Sequence, residues 1–287
     1  MYRIVYKKQH NPTVTEMHIE SPLVARKARA GQFIILRTDS EGERIPLTVA
    51  GTDPEAGTVR IIFQTVGATT ATLAKMEEGD SLYDFVGPLG KPTQIDGLSR
   101  VLVVGGGVGC AIALPVARAL ADRGCSVTSV IGFRSRELVI LENEFSAASE
   151  NLTVMTDDGS YGRAGNVCLP IEEMLSSGVT FDRVIAIGPI VMMKFVTEAV
   201  RPYGIPVTVS MNPIMIDGTG MCGGCRLTLT KDGKRVTKFA CIDGPDFDGY
   251  EVDFDEAASR LNMYRDAERH AFDAHCNLMK KGANGND

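Results

Sequence analysis

The chain lacks a block of basic residues and a long apolar segment. It carries 23% charged residues and a net charge of −6, so it has no basic face of the kind that nucleic-acid binding requires. Its longest uncharged stretch, residues 101–117, contains four glycines and a proline and is shorter than the ~20 residues that cross a bilayer. Residues 1–8 have no apolar region after their charges, which indicates no secretory signal. We therefore expect a cytoplasmic protein that binds neither nucleic acid nor membranes.

The cysteines do not form the even set that a disulfide framework needs. There are seven, and three of them, Cys222, Cys225 and Cys241, lie close together near the end of the chain. An odd number with such a cluster fits metal ligation and free thiols better than cross-links. With 287 residues, 44% of them hydrophobic, the chain is long enough for two or three domains with their own cores.

The three clustered cysteines have the spacing of an iron–sulfur site. They follow the pattern Cys-x2-Cys-x15-Cys, and Asp217 lies five positions before Cys222. This reproduces a plant-type [2Fe-2S] loop with aspartate in place of the first cysteine. Glycines at 218, 220, 223 and 224 suit a loop that curls closely around a cluster. Such a centre carries single electrons, so we expect the rest of the chain to hold a group that exchanges electrons with it.

Other interpretations of this loop are weaker. A zinc ribbon needs a second Cys-x2-Cys, whereas the chain offers only Cys241, and a redox dithiol would open a helix without Gly-Gly between its cysteines. Asp217 is alternatively an exposed turn residue. Its rival as fourth ligand is Cys276, which lies in a polar tail predicted to be helical. His270 and His275 in the same tail are interpreted as solvated side chains rather than metal ligands.

The pattern of apolar residues in the sequence changes near residue 98. Short alternating strands separated by turn residues fill residues 1–97, which predicts an antiparallel β-barrel with one helix near 68–75 and a tight turn at 87–90 that closes the barrel. Residues 98–208 alternate buried strands with helices, which predicts a doubly wound α/β domain. We assign 209–252 to a small cluster module and 253–287 to a C-terminal helix and tail.

A glycine run marks the predicted nucleotide site. Gly105-Gly106-Gly107-Val108-Gly109 lies between a buried strand and an alanine-rich helix, where backbone N–H groups and the helix N-terminus favour a pyrophosphate. Cys110 occupies the third position of Gly-x-Gly-x-x-Gly, so a structural turn is the alternative.

Arginine and hydroxyl residues in the first half suggest a flavin site. Arg44 is suited to pair with a phosphate and Thr48 to hydrogen-bond a flavin ring nitrogen, against the alternative of a solvated arginine and an ordinary strand threonine. The run from Gly67 to Leu73 contains three threonines, which fit a phosphate cradle or a simple helix cap.

The order of these motifs resembles the ferredoxin–NADP reductase superfamily. The resemblance rests on Arg44-x-Pro-Leu-Thr48, Gly67-x-x-Thr70-x-x-Leu73, Gly79-Asp80, Gly87-Pro-Leu-Gly90, the glycine run, Gly132-Phe-Arg134 and Gly188-Pro-x-x-Met192-Met193. With the cluster loop added, the chain is similar to electron-transfer subunits of dihydroorotate dehydrogenases. It is more similar still to the small subunits of NADH-dependent reduced ferredoxin:NADP oxidoreductases, also called sulfide dehydrogenases.

The resemblance implies three cofactors and their residues. It implies an FAD-binding barrel, an NAD(H)-binding α/β domain and a [2Fe-2S] loop, with Thr48 near the reactive flavin nitrogen as the catalytic residue. The implied FAD residues are Arg44, Pro46, Leu47, Thr48, Gly67, Thr69, Thr70 and Thr72. The implied nucleotide residues are Gly105, Gly106, Gly107, Gly109, Arg134, Ser135, Arg136, Gly188, Pro189 and Met192. The implied cluster ligands are Asp217, Cys222, Cys225 and Cys241.

The chain departs from the superfamily pattern at two positions. Leu47 replaces an aromatic residue that often stacks on the flavin, and Ile187 replaces a cysteine near the nicotinamide. Hydride transfer then depends on positioning rather than on a thiol. The arginines at 134 and 136 favour NADP(H), whereas the resemblance favours NAD(H), and we expect NAD(H).

We therefore expect an oxidoreductase subunit rather than a complete enzyme. It passes electrons between NAD(H), FAD and a [2Fe-2S] cluster to or from a larger flavoprotein or iron–sulfur partner, in a heterodimer or larger complex that serves ferredoxin through the partner. Electron bifurcation by that complex is one option. The alternatives are the electron-transfer subunit of dihydroorotate dehydrogenase, a sulfide dehydrogenase and, in another class, a redox-sensing subunit without turnover.

Overall fold

Alternating apolar residues build a barrel from the first third of the chain. The computed structural model describes residues 2–263, 266, 268–270 and 272. The barrel strands are β1 (Tyr2–Asn11), β2 (Val14–Glu20), β3 (Phe33–Arg37), β4 (Ile45–Asp53), β5 (Thr58–Gln64), β6 (Ser81–Leu82) and β7 (Asp84–Leu89). They form an antiparallel sheet of order β6-β1-β2-β5-β4-β3-β7. Since only Tyr83 separates β6 from β7, the two ends of the sheet meet and the barrel is nearly closed.

The barrel differs from the sequence prediction in two places. Two helices, α1 (Pro22–Lys27) and α2 (Ala68–Lys75), accompany it, whereas the sequence predicts only the second. A six-residue helix is too short to show helical periodicity. The predicted tight turn at 87–90 is also wrong, because Gly87-Pro88-Leu89 ends β7, which pairs with β3 across a bulge. A strand at the edge of a sheet tolerates proline, because the N–H that proline lacks would have no partner strand there.

A parallel sheet with helices on both faces follows. Its elements are β8 (Arg100–Gly106), α3 (Cys110–Ala121), β9 (Ser126–Phe133), α4 (Glu142–Ala148), β10 (Asn151–Thr156), β11 (Arg163–Ala164), α5 (Cys168–Ser176), β12 (Arg183–Ile187), α6 (Ile190–Val200) and β13 (Val207–Ser210). Val101 and Val103 face a core that includes α3 and α4, while Leu102 and Val104 face a core that includes α5 and α6. This is the doubly wound arrangement.

The remaining segment joins the parallel sheet instead of standing apart from it. It contains the hairpin β14 (Arg226–Lys231) and β15 (Lys234–Phe239), the short helix α7 (Ala240–Asp243), β16 (Asp246–Asp248) and α8 (Phe254–Asn262). Strand β16 pairs antiparallel with β13, so the sheet order is β11-β10-β9-β8-β12-β13-β16. The side chain of Asp253 caps α8 by accepting the N–H of Glu256. His275 and Cys276 lie outside the described residues. Within the described part of the chain, no helix combines the length and apolar character needed to span a bilayer.

Candidate functional site

A cleft of about 1480 Å³ opens between the barrel and the parallel sheet. The six parallel strands β8–β13 present their carboxyl ends to it, where ligands of α/β sheets bind. The nucleotide residues predicted from the sequence that line it are Gly106, Gly107, Gly109, Arg134, Gly188, Pro189 and Met192. The barrel contributes Asn11, Thr13, Val14 and Gln64 to the opposite wall. These four residues were not predicted from the sequence, because nothing in a single strand indicates which distant sheet edge it will face.

Glycines let two loops of the cleft approach each other. A Cβ atom on Gly106 would collide with Sδ of Met192 and lie 3.1 Å from Cδ of Pro189. A Cβ atom on Gly109 would lie 2.6 Å from the carbonyl oxygen of Ile187. The loops that end β8 and β12 are therefore in direct backbone contact. This close contact explains why glycine occupies both positions, and it leaves the backbone of the first loop open to the cleft.

The predicted residues after β9 divide between the cleft and its rim. Arg134 lines the cleft, as does Asp157 at the end of the neighbouring strand, a residue not predicted as a ligand. Arg136 lies outside the lining, where its N–H donates to Oγ of Ser160 at 2.8 Å and its guanidinium lies 5.6 Å from the ring centre of Tyr161. Ser135 precedes it outside the lining. The position of Asp157, directly after β10 at the same sheet edge, is the signal that could have identified it.

The thiols near the cleft are not activated. Cys110 packs beneath Gly105, which itself does not line the cleft, and burial raises the pKa of its thiol. Cys168 lines the cleft, and burial together with the charge of Glu172 raises its pKa to about 11. Both side chains are therefore neutral thiols at physiological pH and act as packing groups.

The predicted flavin residues form a second surface on the barrel. Pro46, Leu47 and Thr48 pair with Ile35, Ile34 and Phe33 of β3. Glu43, next to Arg44, accepts a hydrogen bond from the hydroxyl of Thr69 at 3.0 Å. This bond holds the start of β4 against the start of α2.

One arginine on this surface suits an anionic group, and two threonines order the helix beside it. Among the described residues, Nε of Arg44 is buried without a hydrogen-bond partner, and the nearest carboxylate oxygen to its guanidinium, on Asp84, is 4.0 Å away. The hydroxyl of Thr70 accepts the N–H groups of Val66 and Gly67, each at 3.0 Å, which orders the turn before α2. The hydroxyl of Thr72 donates to the carbonyl of Ala68 instead, so it is engaged within the helix.

The cluster loop brings two of its cysteines together. Sγ of Cys225 and Sγ of Cys241 lie 3.2 Å apart, and both residues are buried. Burial and the neighbouring Cys225 raise the pKa of Cys241 to about 12. Cys222 is exposed, and its sulfur accepts the N–H of Gly224 at 3.4 Å. Two cysteine sulfurs are thus in contact and a third accepts a backbone N–H, and such a set of sulfur donors suits iron.

Asp217 lies beside Cys222 but faces the backbone. Its carboxylate accepts the N–H of Thr219 at 2.7 Å and that of Cys222 at 2.6 Å, and these bonds lower its pKa. Across residues 2–263, 266, 268–270 and 272, no three His, Cys, Asp or Glu side chains converge as a metal cage. The described loop therefore unites two predicted ligands and places the other two next to each other.

The cluster loop rests on the barrel. A Cβ atom on Gly218 would lie 2.7 Å from Cδ1 of Ile35 and 2.8 Å from Cδ1 of Leu89, and φ at Gly218 is +75°. Ile35 is the cross-strand partner of Pro46. The loop after Asp217 is thus one strand away from the segment 44–48.

Comparison with known proteins agrees with this architecture. The family model for the iron-sulfur cluster binding domain of dihydroorotate dehydrogenase B matches residues 212–253. A dihydroorotate dehydrogenase B (NAD(+)) electron transfer subunit homolog from Thermotoga maritima is 46% identical over 94% of this chain and 94% of its own. The corresponding electron transfer subunit of Geobacillus thermodenitrificans is 36% identical over 83% and 91%. A solved structure of an NADH-dependent reduced ferredoxin-NADP oxidoreductase, studied for flavin-based electron bifurcation, superposes with a TM-score of 0.89 at 42% identity, covering 96% and 97%.

The fold and the loop define an oxidoreductase subunit of the ferredoxin-reductase type with an iron–sulfur domain. The chain belongs to the family of dihydroorotate dehydrogenase B electron transfer subunits and their homologues. The resemblance inferred from the sequence, the fold class and the oxidoreductase class are therefore confirmed.

Proposed function

We propose that this chain passes electrons between NAD(H), FAD and a [2Fe-2S] cluster, to or from a larger partner subunit. The observation that carries the proposal is the packing of the cluster loop, through Gly218, against Ile35 and Leu89 of the barrel. It supports an iron site one strand from the flavin segment, while the nucleotide cleft opens beside the same barrel. Bound FAD supplies the chemistry that converts a two-electron hydride into single electrons.

The chain's own residues bind and orient the nucleotide. The N–H groups of the loop 105–109 and the N-terminus of α3 favour the pyrophosphate. Gly188, Pro189 and Met192 adjoin this loop on the same wall of the cleft and would hold the nicotinamide ring on the side that faces the barrel. Arg134, with Ser135 and Arg136 at the rim, surrounds the adenosine end.

The barrel residues hold the flavin. Arg44 pairs with a phosphate through the nitrogen that is otherwise unpartnered, and Thr48 hydrogen-bonds the ring near its reactive nitrogen. Pro46 and Leu47 shape the surface under the ring. The turn and first residues of α2 lie beside the phosphate, with the supporting residues Gly67, Thr69, Thr70 and Thr72.

The cluster is held by Cys222, Cys225 and Cys241, with Asp217 as the fourth ligand. The contact between two sulfurs and the glycine-rich path between Asp217 and Cys225 support this set. Asp217 must then exchange a backbone hydrogen bond for iron, which a carboxylate with two oxygens can do while it keeps the other bond.

Asp157 favours NAD(H) over NADP(H). Its carboxylate lines the cleft next to the end of β9, where it repels a 2′-phosphate that Arg134 alone would attract. Steady-state kinetics with NADH and NADPH test this choice. A lower Michaelis constant for NADPH than for NADH contradicts it. We expect Asp157→Asn to reduce the difference between the Michaelis constants for NADH and NADPH.

The activity proposed is that of an NADH-dependent ferredoxin:NADP oxidoreductase in the cytoplasm. The structural match is 42% identical and covers 96% of this chain, whereas the electron transfer subunit of Geobacillus thermodenitrificans is 36% identical and covers 83%. The Thermotoga maritima protein, 46% identical over 94% of this chain, is named only as a homolog of that subunit. A companion subunit that binds NADPH and [4Fe-4S] clusters supports this choice. A TIM-barrel companion supports dihydroorotate oxidation instead, and a companion that consumes sulfide supports the third alternative.

Stopped-flow mixing with NADH tests the proposal. The complex is purified without oxygen, and flavin and iron–sulfur absorbance are followed separately after mixing. We expect the flavin band to bleach first and the cluster band to follow. Failure of the flavin to bleach would favour a redox-sensing role, and purified protein without iron would contradict the proposal.

A further inference from the structure

Asp246 occupies a junction between the three parts of the chain. As the first residue of β16 it pairs with Ser210, the last residue of β13, and Ser210 lines the nucleotide cleft. It lies shortly after the end of α7, the short helix that contains the predicted cluster ligand Cys241. Its carboxyl group meets the linker that leaves the barrel, because the hydroxyl of Thr93 donates to Oδ2 of Asp246 at 2.6 Å.

Backbone contacts around Asp246 tie the same three parts together. The N–H of Lys91 in the linker donates to the carbonyl of Gly244 at 2.7 Å, and the N–H of Met211 donates to that of Pro245 at 2.9 Å. A Cβ atom on Gly90 would lie 2.7 Å from Cε1 of Phe33 and 3.0 Å from Cδ of Pro245. Phe33 is the cross-strand partner of Thr48, so this junction adjoins the flavin surface.

Among the described residues, the carboxyl group accepts one hydrogen bond of ordinary geometry, from Thr93, and has no charged partner. Oδ1 is buried without a hydrogen-bond partner, and within the described ranges no Arg, Lys or His forms an ion pair with Asp246. The linker between β7 and β8 carries Lys91 and Asp96, and α7 and β16 carry Asp243 and Asp248. Lys91 acts on Asp243, and Asp96 pairs with Arg123. Strand β13 contributes only hydroxyl groups. Because a buried carboxylate without a compensating charge is strongly disfavoured, this environment favours the protonated, neutral form of the group.

We propose that Asp246 is a positioning residue that, as a neutral carboxyl group, fixes the cluster module against the barrel linker and β13. The inference rests on the proposed function, because the separation it fixes is that between the flavin surface and the iron site. Electron transfer between buried centres weakens steeply with separation, so a loosened junction slows the step from flavin to cluster. The hydride step, which uses the cleft, is not affected.

The proton on Asp246 gives the junction a pH dependence. Burial raises the pKa of Asp246 above its ordinary value of 3.8, although the hydroxyls of Thr93 and Ser210 lower it. Because the pKa of Asp246 is higher in the folded than in the unfolded state, the stability it contributes is complete below pH 3.8. This stability is lost as the pH rises through the folded-state pKa. The wild-type junction therefore loosens at high pH.

Three variants and one control separate shape, charge and hydrogen bonding. Asp246→Asn keeps the size, the neutrality and an acceptor for Thr93, whereas Asp246→Leu removes every polar contact. Thr93→Val removes the hydroxyl donor alone. Asp248→Asn, at an exposed position on the same strand, is the matched control.

The first measurement needs no cofactor. Hydrogen–deuterium exchange at the amides of β13 and β16 is followed in the apoprotein across pH, after correction for the intrinsic exchange rate. We expect wild-type protection to fall as pH rises, protection in Asp246→Asn to stay constant with pH, and protection in Asp246→Leu to be low throughout. If the amides of Asp246→Asn exchange as fast as those of Asp246→Leu, the ionised group is required and the proposal is overturned.

The second measurement uses the complete complex mixed with NADH. In Asp246→Leu and Thr93→Val we expect the cluster band to respond about tenfold more slowly, with flavin bleaching unchanged, and in Asp246→Asn and Asp248→Asn both rates to stay close to wild type. Wild-type cluster rates in Asp246→Leu would overturn the positioning role. If the wild-type flavin does not bleach at all, the proposed function fails, while the exchange experiment still decides the role of Asp246.

Discussion

The carboxylate of Glu144 on α4 binds both terminal nitrogens of Arg60 on β5, at 2.7 and 2.9 Å. This bidentate pair joins the barrel to the parallel sheet. Arg60 also donates to Glu16 at 2.8 Å, and Glu16 in turn is held by His10 and His18. The barrel and the sheet are thus fastened on one side by a network of charges, in addition to the apolar contacts elsewhere.

Arg60→Met should weaken the fold. The change leaves Glu16 buried without its permanently charged partner, and removing one member of a buried ion pair costs about 3 kcal/mol. We expect the free energy of unfolding, measured by denaturant titration, to fall by about that amount. Arg3→Met is the control, since Arg3 is exposed and forms no ion pair within the described residues. Equal stability in both variants would mean that the network contributes nothing.

The same network predicts an acid sensitivity. Burial alone would raise the pKa of Glu16, but hydrogen bonds from His10, His18 and Arg60 outweigh it and lower the pKa well below 4.5. The contribution of Glu16 to stability is therefore complete above its ordinary pKa and lost as pH falls below it. We expect Glu16→Gln to flatten the curve of unfolding free energy against pH in that range. Parallel curves for variant and wild type would refute the assignment.

Gly106→Ala should damage the nucleotide site. Its new methyl group collides with Met192 and crowds Pro189, so the two cleft loops must separate. We expect the dissociation constant for NADH, measured by calorimetry, to rise about tenfold. Gly106→Ala combined with Met192→Ala should recover part of the loss. Gly51→Ala serves as control, because the nearest side-chain atoms to its Cβ, on Arg60, are at 3.7 Å.

Cysteine variants should separate cluster ligands from packing thiols. We expect Cys222→Ser, Cys225→Ser and Cys241→Ser to lose most of the iron, measured per flavin after anaerobic purification, while Cys168→Ser retains it. Iron retained in Cys241→Ser would exclude that residue as a ligand.

Asp217→Asn tests the fourth ligand. The amide oxygen still accepts a backbone N–H of the loop, but the negative charge is gone, and a less negative cluster has a higher reduction potential. We expect a redox titration followed by electron paramagnetic resonance to show that rise. An unchanged potential and an unchanged spectrum would leave Asp217 as a turn residue only.

Local patterns in the sequence predicted the elements whose information is local. The spacing around Cys222 identified the iron–sulfur module, and the glycine run between a buried strand and a helix identified the edge of the cleft. Alternation of apolar residues predicted the barrel and the doubly wound sheet. Each of these depends on residues within about 20 positions of one another.

Long-range pairing was not predictable in the same way. Strand β16 has three residues, too few to show a period, and its identity depends on β13 as a partner. The bonds between Arg60 and Glu144, and between Thr93 and Asp246, join residues 84 and 153 positions apart. Nothing near any of these residues marks its partner, because the tertiary packing alone brings them together.

Strand β16 has a consequence for how the chain folds. It forms one edge of the nucleotide-binding sheet, although it follows the iron-binding loop in the chain. The sheet is therefore incomplete until synthesis has passed residue 248. Unfolding of the loop would detach β16 and leave β13 as an exposed edge strand, which could pair with another molecule. The two ends of the electron path therefore share one cooperative unit, and calorimetry of the apoprotein should record their loss as a single event.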